Sequence, residues 1–133
     1  MKMYVAVRDV MSSNIFSVKN TASVKEAIAL MADKKVGSVV VMKDGKPVGI
    51  VTERDIMRKA CPETLCASKV EEFMSSPLIT IEADSALGQA ARIMTEKNIR
   101  RLLVTDKGKL AGIITQKDVM RGTLNYFMAL ASI

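Results

Sequence analysis

The chain has 133 residues, a net charge of +6 and an apolar fraction of 49%. That length suits one compact domain, or two small units that share a core. The sequence has no histidine and two cysteines, which excludes mixed histidine–cysteine zinc sites and acid–base catalysis by histidine. The charge is spread without a run of one sign. A solvated surface and an anionic partner, such as phosphate or nucleic acid, are therefore both open interpretations.

The sequence gives no sign of a membrane segment or an export signal. Its apolar runs fall far short of the ~20 residues that cross a bilayer, and its N-terminus lacks the apolar stretch of a signal peptide. We therefore expect a cytoplasmic protein with no membrane partner. Cys61 and Cys66 then predict two free thiols, because cytosolic thiols stay reduced. A disulfide or a metal clip between subunits is the alternative.

An internal repeat organises the chain. Residues 7–60 align without a gap with residues 70–123, and a repeat of this kind decides the fold. The expected boundaries are a first repeat over 1–61, a linker over 62–68 and a second repeat with a C-terminal helix over 69–133. The clearest matched segments are Gly49-Ile50-Val51-Thr52-Glu53-Arg54-Asp55 and Gly112-Ile113-Ile114-Thr115-Gln116-Lys117-Asp118.

Each copy predicts the same elements in the same order. A short helical turn comes first, at 8–11 and 70–74, and a brief extended segment follows, at 16–18 and 79–81. Apolar residues then recur at helical spacing, over 24–31 and 87–94. Ser23 is the expected N-cap of the first helix, and Asp84 or Ser85 is that of the second.

Two strands and a closing helix complete each copy. β-Branched and apolar residues predict strands over 38–42 and 47–51, and over 102–105 and 110–114. The turns between them contain Gly45 and Gly108, where glycine supplies a positive φ. Because these strands are apolar throughout, helices should cover the sheets. The result is an α/β (α+β) fold with two β-α-β-β-α repeats.

The closing helices should begin at Glu53 and Gln116. The second is predicted to continue through Leu124 and Phe127 to about Ile133. That is more apolar surface than one short helix needs, so it predicts packing on the other repeat or on a second subunit. The methionines of the helical faces are predicted to fill the core; they are Met31, Met57, Met94 and Met120.

Each strand-to-helix junction presents a threonine and, three residues later, an aspartate. As N-caps, Thr52 and Thr115 would leave first-turn amides unpaired, a ready site for an anion. Asp55 and Asp118 offer paired acceptor oxygens that match the hydroxyls of a ribose. The structural alternative is a capping box, in which the aspartate only reaches back to the threonine amide. Two copies in matched context favour ligand binding.

Basic residues stand close to the junctions in the sequence. Arg100 and Arg101 precede a strand, at the place where the first copy has Gly37 and Ser38. Arginine can clamp a phosphate with two hydrogen bonds. The alternative is a pair of solvated surface side chains.

At these residues the sequence resembles the CBS-domain family, as a tandem pair called a Bateman module. The similarity covers residues 7–123, and its carriers occur in order in both copies. They are Val10-Met11-Ser12, Phe73-Met74-Ser75, Val39-Val40-Val41, Leu103-Val104-Thr105-Asp106 and the twofold Gly-x-x-Thr-x-x-Asp.

The resemblance implies a fold and a ligand. Two repeats would pack sheet to sheet around a pseudo-two-fold axis, and the clefts would bind AMP, ADP, ATP or S-adenosylmethionine. Many family members also form disc-like homodimers. One implied pocket uses Thr52, Arg54 and Asp55 with Thr80, Ile81, Ile99, Arg100 and Arg101. The other uses Thr115, Lys117 and Asp118 with Ser17, Val18, Val36, Gly37 and Ser38. Arg54 and Lys117 would cover a bound base or face solvent.

The expected function is a non-enzymatic nucleotide-binding regulatory module, an energy sensor that needs no cofactor. The repeats fill nearly the whole chain, so we expect the regulated protein, which the sequence does not identify, to be a separate partner. A nucleic-acid-binding protein is the first alternative, although the charge density is low and no reading motif is present. A dimerisation adaptor with empty pockets is the second. An enzyme is the least expected, because no nucleophile–base pair is evident.

Overall fold

A computed structural model describes residues 4–59, 67–76 and 78–132. The chain divides into two compact units. One spans Ile15–Leu78, and the other joins Met1–Asn14 to Ile79–Ile133. We call them the sheet-1 unit and the sheet-2 unit. Cys61, Cys66 and most of the predicted linker lie outside the described residues.

The sheet-1 unit has the predicted β-α-β-β-α order. Its elements are β1 Ser17–Lys19, α2 Val24–Lys34, β2 Ser38–Lys43, β3 Lys46–Thr52 and α3 Glu53–Lys59. The three strands form one sheet in the order β1-β2-β3. β1 runs parallel to β2, and β2 pairs antiparallel with β3.

The sheet-2 unit repeats this pattern after a short N-terminal helix. Its elements are α1 Val7–Val10, β4 Thr80–Glu82, α4 Leu87–Lys97, β5 Arg101–Asp106, β6 Lys109–Thr115 and α5 Gln116–Ala131. The sheet order is β4-β5-β6, with the same parallel and antiparallel pairings. Both sheets even share one irregularity, a register shift at Val41/Met42 and at Val104/Thr105. The predicted α/β (α+β) class with two matched repeats is therefore confirmed.

The hairpin turns follow the sequence prediction. Each is a two-residue turn in which both residues have positive φ, 51° and 77° at Asp44 and Gly45, and 53° and 80° at Lys107 and Gly108. Such turns match the twist of the strands that they join. The glycine avoids the steric cost that a side chain has in this region.

One predicted helix cap is confirmed and one is wrong. The Ser23 side chain accepts a hydrogen bond from the Glu26 amide, as a serine N-cap should. The cap of α4, however, is Ala86, which makes no side-chain capping bond. Asp84 and Ser85 are engaged elsewhere, because the Asp84 carboxylate accepts from Arg8 and the Ser85 carbonyl accepts from the Val7 amide.

The buried core of each unit lies between its sheet and one helix, α2 in the sheet-1 unit and α4 in the sheet-2 unit. In the sheet-1 unit, Met31 of α2 packs with Val39, Val41 and Val51 of the strands. In the sheet-2 unit, Met94 of α4 packs in the same way with Leu102, Val104 and Ile114. Their core-filling role is confirmed.

The prediction that Met57 and Met120 also fill the core is wrong, since they are 82% and 68% exposed. They fit the helical apolar pattern, but their side chains are largely exposed on the closing helices.

Each unit also holds the short segment that opens one of the repeats. In the sheet-2 unit, Ser12 and Ile113 exchange two backbone hydrogen bonds of 2.9 Å. In the sheet-1 unit, Ser75 and Ile50 pair in the same way. Residues 4–14 thus belong with the sheet of the second repeat, and residues 70–76 with that of the first.

An ion pair also ties α1 into the sheet-2 unit. Arg8 donates to Asp84 at 2.7 Å and to Asp106 at 3.4 Å. These hydrogen bonds, with Asp84 the larger influence, raise the pKa of Arg8 above its usual value. The guanidinium therefore stays charged at any pH near neutrality.

The closing helix α5 is longer than its counterpart, as predicted, and ends at Ala131. From Thr123 to Ser132 all of its residues are exposed. Within the described part of the chain, no helix is long and apolar enough to cross a membrane.

A matched pair of helix ends gives a stability prediction. Both α2 and α4 end in a left-handed residue, Lys35 with φ 55° and Asn98 with φ 53°. Asparagine tolerates this conformation better than lysine does. We expect Lys35→Asn to raise the free energy of unfolding by about 0.5 kcal/mol, within the range for relief of left-handed strain. Urea denaturation measures it. The reverse variant, Asn98→Lys, should lose a similar amount, and an equal stability of all three proteins would contradict the argument.

Candidate functional site

The two Thr-x-x-Asp junctions have the same geometry. Thr52 ends β3, and its amide and hydroxyl both donate to Asp55 Oδ2, at 2.9 and 3.0 Å. Thr115 ends β6, and its amide and hydroxyl donate to Asp118 Oδ2, each at 2.9 Å. In return each threonine oxygen accepts from the aspartate amide. The capping box that the sequence offered as an alternative is therefore formed in both copies.

The capping box commits only one oxygen of each carboxylate. The second oxygen of Asp55 accepts a weak hydrogen bond of 3.3 Å from the Ser75 hydroxyl. The second oxygen of Asp118 accepts from Arg121, at 2.6 Å. Since each carboxylate oxygen has two lone pairs, capping leaves acceptor capacity at both residues. The two roles weighed for these aspartates are thus compatible.

The predicted anion site at the helix N-termini is largely absent. The first amide of α3, that of Glu53, donates to the Gly37 carbonyl at 3.0 Å, and that of Gln116 in α5 donates to Arg100 at 2.9 Å. The Asp55 and Asp118 amides are taken by the threonine hydroxyls. The expectation of unpaired first-turn amides is therefore wrong for these four groups, because the backbone before β2 and β5 reaches them.

Within the sheet-1 unit, the candidate residues collect at one end of the sheet. Ser38 opens β2 and is the register partner of Thr52, which closes β3. Ser17, at the start of β1, pairs two residues further along β2. The other candidates of this unit adjoin these three residues in the chain; they are Val18, Val36, Gly37, Arg54 and Asp55. Arg54 is exposed, whereas Asp55 is half-buried.

The sheet-2 unit collects its candidates in the same way. Arg101 opens β5 and is the register partner of Thr115, while Thr80 opens β4 beside Leu103. The Ile81 side chain is buried in the core cluster, so only its backbone could contact a ligand. Asp118 is 9% exposed, and Arg100 and Lys117 are exposed. The remaining candidate, Ile99, packs partly against the same core.

Sequence analysis did not select two residues that contact the aspartates. Arg121 lies three residues after Asp118, a spacing that places oppositely charged side chains together on a helix. That signal was available in the sequence. Ser75 reaches Asp55 from the segment that opens the second repeat, and only the repeated Met-Ser-Ser could have pointed to it.

The motif glycines have a structural reason. A Cβ on Gly112 would lie 2.6 Å from the Ser12 carbonyl oxygen, and one on Gly49 would overlap the Met74 side chain. The opening segment of each unit therefore packs directly on bare backbone. Glycine at this position lets the opening segment lie directly against the strand that leads into the junction.

Apart from the junctions, the sheet-1 unit has an apolar groove of about 370 Å³ between α2 and α3. It is lined by Ile28, Met31, Ala32, Glu53, Ile56 and Met57. No threonine or aspartate of the junction lines it.

The CBS-domain family sequence model matches residues 7–61 and 70–124. The chain belongs to the CBS-domain family. The resemblance inferred from its twofold motif is therefore confirmed, as is the tandem arrangement. CBS domains are commonly regulatory, ligand-binding modules.

Relatives and solved structures agree with this assignment. The Methanopyrus kandleri protein MK0525 is 35% identical over 121 residues, which are 88% of this chain and 62% of that protein. The chain spans still less, 31%, of MJ1404 from Methanocaldococcus jannaschii. A conserved protein from Pyrococcus horikoshii has a crystal structure that superposes with a TM-score of 0.81 at 35% identity, covering 92% of this chain and 95% of that one.

Two further CBS structures share the fold. A hexameric CBS-CP12 protein from bloom-forming cyanobacteria has a TM-score of 0.82 at 27% identity, with 90% of this chain and 68% of that chain covered. The CBS domain of a bacterial CNNM/CorC family Mg²⁺ transporter, solved in complex with ATP, has a TM-score of 0.79 at 19% identity, with 90% and 87% covered.

The glycine contacts predict an order of stabilities. Gly112→Ala should lower the free energy of unfolding by about 1–3 kcal/mol, the usual cost of overpacking, because its new methyl group would meet backbone. Gly49→Ala should cost less, since a methionine side chain can move aside. Gly88→Ala is the control: apart from its chain neighbours and its own helix backbone, no atom of the described residues lies within 4 Å of the added Cβ, and alanine in a helix should stabilise by about 0.5–1 kcal/mol. Chemical denaturation of the three variants measures this order, and a Gly112→Ala protein as stable as wild type would refute the close approach.

Proposed function

We propose that this CBS-domain chain is a non-enzymatic regulatory module that binds an adenosine ligand: AMP, ADP, ATP or S-adenosylmethionine. The observation that carries the proposal is the pair of Thr–Asp junctions with the same capping box, each with one carboxylate oxygen outside that box. The CNNM/CorC relative in fold, solved with ATP, supports a nucleotide as the ligand class. The signal would pass to a separate partner protein.

In this proposal the junction residues bind the ribose. A ribose presents two neighbouring hydroxyl groups, and a carboxylate held in place by its own helix cap can accept from them at little entropic cost. The threonine oxygen adds a further acceptor. Because the capping box fixes both side chains before a ligand arrives, the binding geometry is preorganised.

The residues at the starts of β2 and β5 would distinguish ligands by their phosphate groups. Arg100 and Arg101 offer two guanidinium groups, and Arg101 is half-buried beside Thr115. The matching positions, Gly37 and Ser38, carry no charge and leave space. We therefore propose that Arg100 and Arg101 contact phosphate oxygens, through the bidentate hydrogen bonds that guanidinium groups favour.

Alanine variants of the aspartates test the ribose role. Asp55→Ala and Asp118→Ala should each weaken one site by about 1–3 kcal/mol, the scale of hydrogen bonds to a charged group. Calorimetric titration with AMP, ADP, ATP and S-adenosylmethionine measures the loss. Asp9→Ala is the matched control, because Asp9 caps α1 with the same 2.9 Å bond to a backbone amide but is not a candidate ligand residue. It should lose stability without losing affinity.

The outcomes separate the candidate functions. Unchanged affinity in both single variants and in the double variant would rule out the ribose role. A short DNA duplex belongs in the same titration, at two salt concentrations. If DNA alone binds, and its binding collapses with salt, the chain is a nucleic-acid-binding protein. If none of these ligands binds, the adaptor interpretation replaces the nucleotide module.

We further propose that the chain forms a homodimer through the second half of α5. From Gly122 to Ala131 this helix carries no charged residue. Leu124, Phe127 and Met128 are 58%, 62% and 60% exposed, and their spacing places them on one face. A charged partner surface would bury unpaired charges there, so the same face of a second copy is the matching occupant. The hexameric cyanobacterial relative supports self-assembly in this family.

A double variant tests the dimer. Leu124→Glu with Phe127→Glu would place two like charges against their symmetry mates, so the protein should become monomeric. Sedimentation equilibrium measures the mass. Thr123→Glu with Asn125→Glu adds the same charge to polar positions of the same helix and should leave the dimer intact. A wild-type protein that is monomeric at every concentration would contradict the proposal.

A further inference from the structure

The two junctions differ at the carboxylate oxygen that the capping box leaves over. On Asp118 this oxygen forms an ion pair of 2.6 Å with Arg121, and the Asp118 side chain is only 12% exposed. Among the described residues, the only donor to the same oxygen of Asp55 is the Ser75 hydroxyl, at 3.3 Å. Arg58 occupies the position of Arg121 in the first copy. In the described part of the chain, however, Arg58 and Asp55 form no ion pair.

The serines that open the two repeats also differ in their local hydrogen bonds. In the sheet-2 unit the counterpart of Ser75 is Ser12, whose hydroxyl accepts from the Asn14 amide at 3.2 Å. The residue aligned with Asn14 is Pro77, and a proline has no amide hydrogen to donate. The Ser75 hydroxyl therefore lacks that local donor; it donates to Asp55, a bond that has no counterpart from Ser12 to Asp118 among the described residues. In the sheet-2 unit, the side chain that donates to the corresponding oxygen of Asp118 is Arg121.

We infer that the two junctions bind nucleotide unequally, with the Asp55 junction tighter and Arg121 acting as a competitor for the ribose at Asp118. The inference rests on the proposed function. A ribose hydroxyl at Asp118 has to share or displace a charged donor at short distance, whereas at Asp55 it displaces only a weak, neutral one. Hydrogen bonds from charged donors are shorter and stronger than neutral ones. Arg121 thus sets the affinity of its site without contacting the ligand.

The size of the effect follows from the exposure of the arginine. The Arg121 side chain is 69% exposed, and ion pairs of exposed side chains contribute little, since water and salt screen them. Displacing such a pair should change affinity by about threefold to fivefold. The sites would then fill in order, the Asp55 junction first.

Titration with ATP, and with adenosine as a probe without phosphate, tests the inference. Asp118→Ala leaves the Asp55 junction as the intact site, and Asp55→Ala leaves the Asp118 junction. We expect the Asp118→Ala protein to bind more tightly. Adding Arg121→Gln to Asp55→Ala should strengthen binding by about threefold to fivefold. Adding Arg58→Gln, which removes the same charge from the matched position, should change nothing.

Each outcome has a distinct meaning. Equal affinities of the two aspartate variants would overturn the inference while leaving the proposed function in place. So would an Arg121→Gln substitution that fails to strengthen binding, or that weakens ATP but not adenosine, because Arg121 would then be a phosphate contact. If wild-type protein binds neither ATP nor adenosine, the proposed function itself fails. Thermal denaturation of every variant checks that a change of affinity is not a loss of fold.

Discussion

In each unit an opening segment packs so closely against a glycine of the last strand that a side chain there would displace a neighbour. At Gly112 the segment that opens the chain lies against β6, so close that a methyl group would meet the Ser12 carbonyl. At Gly49 the segment of Met74 and Ser75 lies against β3. Each contact covers an edge of its sheet with paired backbone. The glycine stands three residues before the threonine of the Thr–Asp junction, so the contact lies on the strand that leads into that junction.

The capping box explains how one motif can serve both structure and binding. A capping side chain of this kind stabilises a helix by about 1 kcal/mol. That is enough to hold the Thr52 and Asp55 side chains in this geometry even without a ligand. The same bonds fix the carboxylate, so its second oxygen points in one direction. A group oriented by the fold loses little freedom on binding. Capping is therefore the means by which the junction is preorganised, and the ligand proposal requires it.

Local signals made most of the fold predictable from the sequence. The glycine turns, the Ser23 cap and the starts of the closing helices at Glu53 and Gln116 depend on neighbouring residues, and all are confirmed. The failures involve partners far along the chain. Ala86 is the N-cap residue of α4, and Asp84 and Ser85 instead bond to Arg8 and Val7, more than seventy residues away in the chain. The periodic spacing of apolar residues in a sequence does not reveal such contacts.

The same limit applies to the candidate site. The Thr–Asp pairs were visible as a motif, and the Arg121 contact follows a known helical spacing. The Ser75 contact and the carbonyls of Gly37 and Arg100 that occupy the helix amides arise from tertiary pairing. Solvent exposure was equally hard to predict from the sequence. Met31 and Met57 both fit the apolar spacing of their helices, yet Met31 is buried and Met57 is exposed.

The central claim, that the Thr–Asp junctions bind an adenosine nucleotide, can be tested most directly by nuclear magnetic resonance. Backbone amide resonances of the isotope-labelled chain would be followed during titration with ATP. The account predicts saturable shifts at Thr52 to Asp55 and at Thr115 to Asp118, with the hairpin turns at Gly45 and Gly108 unchanged. Shifts that avoid both junctions, or a spectrum that ATP leaves unchanged, would contradict it.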